Sequence, residues 1–174
     1  MAGPLVVVAL RPIDLTLGRV VRAMAIGRSP VRTVGRTIFG MEDAIGLEGL
    51  DFLYTPSRDV AGDLADFVDV LGGQLVFAIE DGGIRVAMVE LTDGPPRILL
   101  TDHVEGERPI LVYRVTDQGR AVAGLKARGW TPERSLEIPH GPCSSFRSPG
   151  GHRIALYQLT RPQVVHHFDG RRDF

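Results

Sequence analysis

Residues 50–73, LDFLYTPSRDVAGDLADFVDVLGG, decide the fold. The first six residues place aromatic side chains at alternate positions, as a β-strand does, and Pro56 ends this strand. Asp59 then supplies the side chain of a helix N-cap, and the glycine pair at 72–73 ends the helix. The apolar face of the predicted helix recurs with helical spacing and consists of Val60, Leu64, Phe67, Val68 and Leu71.

Three more strands are predicted after this helix. They lie at residues 74–79, 84–91 and 97–100. Asp-Gly-Gly and Asp-Gly-Pro-Pro turns separate them. The first unit therefore has the order β-α-β-β-β.

The same order recurs 58 residues later, where Asp117 takes the place of Asp59. Residues 110–115, ILVYRV, are the first predicted strand, and Gly129 ends the second helix. The three remaining strands are predicted at 136–138, 144–147 and 152–159. We therefore predict an α+β fold in which two βαβββ modules pair into a curved mixed sheet with a cavity. The modules cover residues 49–101 and 110–160 of a domain at 49–160.

Composition excludes several classes of protein. The chain of 174 residues has one cysteine, Cys143, which excludes internal disulfides and multi-cysteine metal sites. Its longest apolar run, residues 4–10, is far shorter than the ~20 residues of a membrane span. A net charge of −1 argues against a nucleic-acid-binding protein, because phosphate binding needs a positive field. We expect a cytoplasmic protein without membrane or nucleic-acid partners, and the preference for arginine over lysine suggests a bacterial source.

Two segments flank the predicted domain. Residues 1–48 contain six arginines against four acidic residues and are predicted as a partly ordered N-terminal extension. They lack the charged start and the cleavage site of a signal peptide, so we do not expect targeting. Residues 161–174 are a C-terminal tail, expected to form a docking helix, with phosphate or partner binding as the alternative.

Three motifs give the repeat a family resemblance. FVDVLGG closes the first helix, LKARGW closes the second, and FRSPGGHRIALYQL forms the last turn and strand. In this order they resemble the vicinal oxygen chelate superfamily, which includes glyoxalase I, extradiol dioxygenases, fosfomycin resistance enzymes and bleomycin-binding proteins. The resemblance implies the glyoxalase/bleomycin resistance fold and a homodimer. Another duplicated α+β sandwich, such as a ferredoxin-like pair, is the alternative.

The resemblance also implies where a metal would be bound, on the first and last strands of each module. Those positions carry Phe52, Ile110 and Ala155, and in the last strand of the first module residues 99–101, LLT. None of them offers an imidazole, carboxylate or thiolate ligand. We therefore expect neither a metal ion nor another cofactor.

The five histidines show no ligand spacing and are expected in loops. A site rebuilt from His103, His140 and Glu137 is the alternative.

The two-residue strand period predicts which side chains line the cavity. Alternate residues of a strand share one face of the sheet, which groups Phe52 with Tyr54 and Val112 with Arg114, and adds Tyr157. A guanidinium on this face needs a partner, either a carboxylate such as Glu90 or Asp102 or an anionic ligand.

Residues 138–146, IPHGPCSSF, add polar groups at the predicted rim. Cys143 is interpreted as a small buried filler, with a His-activated thiolate as the alternative. No catalytic residue is assigned. The complete predicted ligand-binding set is Phe52, Tyr54, Val112, Arg114, His140, Cys143, Ser144, Phe146 and Tyr157.

Three functions follow from these observations. The first is a metal-free protein of the glyoxalase/bleomycin resistance type that binds an aromatic or cationic small molecule in the cavity. The second is a lyase, isomerase or dioxygenase-like enzyme of the same fold, with a rebuilt metal site or with His140 and Arg114 in acid–base chemistry on a small oxygenated substrate. The third is an interaction protein whose arginine-rich extension docks on an acidic partner.

Overall fold

The computed structural model describes residues 45–174. Most of the predicted N-terminal extension therefore lies outside the described residues. The first strand already begins at Leu47, inside the segment predicted as extension.

The first module contains four strands and one short helix. Its elements are β1 (Leu47–Pro56), α1 (Val60–Ala65), β2 (Gln74–Asp81), β3 (Ile84–Glu90) and β4 (Arg97–Thr101). The helix is capped as predicted, because the Asp59 Oδ1 accepts a hydrogen bond of 3.0 Å from the Gly62 N–H. It differs from prediction in its second half, where Asp66–Val70 is a π-helical turn.

The second module repeats this order. Its elements are β5 (Ile110–Val115), α2 (Gln118–Ala127), β6 (Pro132–Ile138), β7 (Gly141–Arg147) and β8 (Arg153–Tyr157). Asp117 caps α2 by accepting a 2.9 Å hydrogen bond from the Arg120 N–H. The equivalent caps support the interpretation of the chain as a duplicated unit.

The eight strands of residues 45–174 form one sheet, in the order β2-β3-β4-β1-β5-β8-β7-β6. β1 pairs with β4, and β5 with β8, in parallel, whereas the other neighbouring strands are antiparallel. The antiparallel pairing of β1 with β5 joins the two modules within one chain. The predicted fold class, a curved mixed sheet built from two βαβββ modules, is confirmed.

The sheet has a convex face covered by helices and a concave face between the modules. On the convex face, α1 packs on a cluster around Val89 and Leu100, and α2 on a cluster around Phe146 and Leu156. A third cluster, around Phe52 and Tyr157, occupies the concave face. This third cluster fills the face on which the cavity is predicted.

Residues 161–174 are named here the C-terminal strap. They begin in a 3₁₀ helix, Pro162–His167, which differs from the predicted docking helix in being short and in having no buried residue. The strap then pairs with the edge strand β2, and an isolated parallel bridge joins Ala78 to Arg172.

Candidate functional site on the concave face

The register of β1 against β5 shifts twice. Gly49 faces Arg114 although Leu47 faces Val115, and the second shift lies between Leu50 and Phe52. Each shift leaves an extra residue in β1, first Glu48 and then Asp51. Such a bulge changes the direction in which side chains point. Here it places both carboxylates on the concave face of the β1–β5 pair, beside Arg114.

The two bulged carboxylates are the partners of Arg114. The Arg114 Nε lies 2.9 Å from the Glu48 Oε2, and its Nη1 lies 3.6 Å from the Asp51 Oδ2. The prediction that Glu90 or Asp102 pairs with Arg114 is wrong. Glu90 pairs with Arg97, and Asp102 accepts a hydrogen bond from the Arg85 N–H.

Asp51 is the most buried carboxylate of this group, with a relative exposure of 8%. Its Oδ2 accepts a short hydrogen bond from the Tyr157 hydroxyl. Burial raises the pKa of Tyr157 above its ordinary value, and the adjacent Asp51 carboxylate raises it further. Tyr157 therefore stays a neutral donor, and Asp51 is held by a phenol and a guanidinium.

His140 lies against the same group of rings. Its ring centroid is 5.6 Å from that of Phe52 and 5.9 Å from that of Tyr157. Burial lowers the pKa of His140, and although the negative charge of Asp51 acts in the opposite direction, the neutral ring is favoured. Among residues 45–174 the buried His140 Nε2 has no hydrogen-bond partner, which is unusual for a buried polar atom.

A second histidine lies on the first-module side of the concave face. The His103 Nε2 is 3.0 Å from the Tyr54 hydroxyl, and its Nδ1 is 2.6 Å from the Thr101 hydroxyl. Burial lowers the pKa of His103 and raises the pKa of Tyr54 to about 12. Both nitrogens of His103 are therefore engaged within the protein, unlike those of His140.

The structure brings most of the predicted site residues together. The concave cluster contains Phe52, Val112, Cys143 and Tyr157, with Tyr54 packed against it. Arg114 and His140 join them through the contacts described above.

Ser144 and Phe146 lie on the other face of the sheet. β7 begins at Gly141, so most of the predicted rim loop is strand, and Cys143 and Phe146 point to opposite faces. The Ser144 hydroxyl accepts a 2.6 Å hydrogen bond from the Gln118 side chain at the start of α2, and Phe146 packs in the α2 cluster. Neither lines the concave face.

Cys143 is buried and unpaired among the described residues. Burial raises the pKa of its thiol to about 12, which disfavours the thiolate. This environment agrees with the interpretation as an apolar filler.

The metal-binding positions implied by the resemblance do not fit a metal centre. The apolar side chains at these positions belong to the concave cluster, in the case of Phe52, Ile110 and Ala155, or pack against it, in the case of Leu99. His103 and His140 belong to separate groups, and within residues 45–174 no cluster of three or more His, Cys, Asp or Glu side chains is placed to hold a metal ion.

An open cleft of about 220 Å³ adjoins Arg114. It is lined by Glu48, Arg114, Val115, Thr116, Gln158 and Leu159. Pockets for drug-sized ligands typically measure about 300–1,000 Å³. The cleft alone is therefore suited to a small group or to one end of a larger molecule.

Sequence reasoning missed Glu48, Asp51, Thr101 and the role of His103. A strict two-residue period assigns Asp51 to the face opposite Phe52, and only the bulge reverses this. The available signal was an aspartate between apolar strand residues, a position where Asp is depleted and where a buried carboxylate needs a partner.

Known structures share this architecture. A methylmalonyl-CoA epimerase from Mycobacterium tuberculosis is 20% identical, with a TM-score of 0.54 and an alignment that covers 72% of this chain and 95% of that one. The chain has the vicinal oxygen chelate fold. A Streptomyces coelicolor methylmalonyl-CoA epimerase variant in complex with 2-nitronate-propionyl-CoA is 14% identical, with a TM-score of 0.56 and coverage of 66% and 96%.

A hypothetical protein from Bacillus halodurans has the same vicinal oxygen chelate fold at 15% identity, with a TM-score of 0.56 and coverage of 65% of this chain and 95% of that chain. No family model and no curated protein matches the sequence. The likeness therefore confirms the resemblance at the level of the fold.

No helix within residues 45–174 is long and apolar enough to cross a membrane.

Proposed function

We propose that this chain is a small-molecule-binding protein that holds an aromatic or cationic compound on the concave face without a metal ion. The observation that carries the proposal is the buried Asp51 carboxylate, which the shifted register of β1 places beside aromatic rings. Hydrocarbon occupies the positions where the fold's metal-binding members have ligands, so recognition relies on ring contact, shape and charge.

The charges around Asp51 favour a cation. Two carboxylates, Glu48 and Asp51, surround one guanidinium, Arg114, which leaves one formal negative charge. The neutral rings of His140 and Tyr157 do not offset it. An aromatic cation gains from this charge and from the ring faces, whereas an anion competes with two carboxylates for Arg114.

The test compares two competitors of similar shape and opposite charge, the cation benzamidine and the anion benzoate. The fluorescent cation 9-aminoacridine is titrated into the full chain, and benzamidine and benzoate are compared as competitors. We expect benzamidine to displace the dye and benzoate to fail. Equal competition by both would contradict the proposal.

A pair of variants separates local charge from overall charge. Asp51→Asn is expected to weaken dye binding by about tenfold, because it removes the partly desolvated negative charge. Asp66→Asn makes the same change on the exposed surface beside α1 and should leave the affinity unchanged. Equal effects of the two variants would show that the dye does not bind at Asp51.

The second candidate is an acid–base enzyme. The free Nε2 of a neutral His140 beside Tyr157 favours it, because such a nitrogen can accept a proton from a bound substrate. The neighbours named as methylmalonyl-CoA epimerases suggest the substrate to try.

Incubation with methylmalonyl-CoA in D₂O, followed by NMR, measures exchange of the C2 hydrogen. The binding-protein proposal predicts exchange at the uncatalysed rate. Faster exchange that is lost in His140→Gln, with the fold retained, would favour the enzyme.

A further inference from the structure

The C-terminal strap begins on the second module. The backbone N–H groups of Thr160 and Arg161 both donate to the His140 carbonyl, at 2.9 and 3.1 Å. The Arg161 guanidinium also donates to the carbonyls of Pro139 and Ile138 and lies 2.6 Å from the Glu137 carboxylate. The start of the strap is therefore fixed to the β6–β7 turn that carries His140.

The strap ends on the first module, at the opposite end of the sheet. The Gly170 N–H donates to the Val76 carbonyl at 2.9 Å, and the Ala78 N–H donates to the Arg171 carbonyl at 2.8 Å. Phe174 then packs in the α1 cluster on the convex face, with the Arg85 guanidinium 5.2 Å from its ring centroid. Because β7 and β2 lie near opposite ends of the strand order, the strap crosses the concave face between them.

Phe168 is the point where the crossing strap enters the concave cluster. Its ring centroid lies 5.7 Å from that of Phe77, and it packs against the cluster that contains Phe52 and Tyr157. The strap thus covers the apolar surface on which the proposed function depends.

The strap is held more weakly than the sheet beneath it. None of its fourteen residues is buried, and its 3₁₀ helix has no side-chain cap. Its ion pair between Arg161 and Glu137 is exposed, and such pairs contribute little. Segments with few buried contacts open before the rest of a protein unfolds.

We propose that the C-terminal strap is a displaceable cover, and that a ligand reaches the concave face when the strap lifts from β2. This inference rests on the proposed function for its purpose, but the lifting itself can be measured without any ligand. Phe168 is the residue that closes the cover, and Arg161 is the hinge-side anchor.

The buried thiol of Cys143 reports on the lifting, because it belongs to the same cluster that Phe168 covers. The experiment measures the rate at which 5,5′-dithiobis(2-nitrobenzoate) modifies Cys143 in the full chain. We expect Phe168→Ala to raise this rate by about tenfold or more at low urea. Arg161→Gln loosens the other anchor and should raise it as well, so the inference does not depend on one variant folding.

Leu125→Ala is the matched control, because Leu125 is a buried residue of the convex α2 cluster, whereas the strap residue Phe174 packs in the α1 cluster. It reduces global stability without freeing the concave face, and its thiol reaction should depend steeply on urea, as global unfolding does. Two results would overturn the inference: rates in Phe168→Ala and Arg161→Gln that equal the wild type, or rates that rise only with the urea dependence of Leu125→Ala.

The dye experiment then separates the two proposals. If 9-aminoacridine binds the wild-type chain, its association rate should rise in Phe168→Ala by a factor similar to that of the thiol reaction. An unchanged association rate would overturn the role of the strap as a cover. Faster thiol reaction without any dye binding would support the displaceable strap and count against the proposed function alone.

Discussion

The two faces of the sheet differ in the polarity of the side chains that they bury and in the elements that cover them. On the convex face, two helices cover apolar clusters in which residues such as Phe146 and Val89 have no solvent exposure. On the concave face, a short strap covers a cluster that also touches a buried carboxylate, two histidines and an arginine. The convex clusters are therefore apolar throughout, whereas the concave cluster packs against polar and charged groups as well.

The difference between the two faces also holds when the two modules are compared. Both modules place a capped helix on the convex face, as the equivalent bonds of Asp59 and Asp117 show. The modules differ where they meet, because in the β1–β5 pair β1 carries two extra acidic residues, Glu48 and Asp51, that β5 does not match. The asymmetry between the modules is thus concentrated at the site.

The largest expected effect comes from breaking the convex face. Phe146→Ala removes a side chain with 0% exposure from the α2 cluster and should lower the free energy of unfolding by about 4 kcal/mol. Urea denaturation measures this loss. Dye affinity under native conditions should stay unchanged, because Phe146 does not touch the concave cluster. A strong loss of affinity in the folded variant would show that the two faces are coupled.

A smaller loss of stability is expected at the turn that carries His140, but here dye binding should be weakened as well. Gly141 has φ of +145°, and a Cβ there would lie 2.2 Å from the Gln158 carbonyl oxygen. Gly141→Ala should cost about 3 kcal/mol and also weaken dye binding, because the backbone beside His140 must move.

The control for this turn is Gly94→Ala. Gly94 also has a positive φ, of +88°, but a Cβ would meet no atom within 4 Å. It should cost only about 1–2 kcal/mol for the backbone conformation and leave dye binding intact. Equal losses in both variants would mean that close packing at Gly141 is unimportant.

The smallest expected effect is a pH dependence of the free energy of unfolding that arises from the two histidines of the concave face. Burial lowers the pKa of His103 and His140 in the folded chain, so the unfolded chain binds more protons near the ordinary value of 6.5. The free energy of unfolding should therefore fall as the pH decreases through about 6.5 and continue to fall until the folded-state pKa values are passed.

Denaturation at pH 7.5 and 5.5 tests this sign, at values where most carboxylates keep their charge. The loss should be smaller in the double variant His103→Gln/His140→Gln than in the wild type. His152→Gln, at an exposed turn, is the control and should keep the full dependence. A wild-type stability that rises on acidification would contradict the assignment.

Much of the fold could be predicted from the sequence because its signals are local. Asp59 and Asp117 cap helices through their own side chains, and strand β5 begins and ends where the pattern of ILVYRV predicts. These features depend on neighbours within a few residues. The paired modules follow from their repetition.

The site could be predicted only in part, because its decisive features depend on pairing between distant strands. The period-2 rule correctly groups Phe52 with Tyr54, but it cannot show a bulge, which exists only relative to the partner strand. The bonds of the strap to β2 likewise join residues about ninety positions apart, and no local pattern indicates them.

The pairing of the strap with β2 has a consequence for how molecules of this protein meet. A sheet edge with free backbone groups is a template for another strand, and one of the two outer strands here is already occupied by its own chain. The opposite outer strand, β6, presents the exposed charges of Glu133, Arg134 and Glu137, which disfavour strand addition. While the strap is paired with β2, addition of a strand from another molecule is therefore disfavoured at both edges of the sheet, and the homodimer expected from the family resemblance would have to use other surfaces.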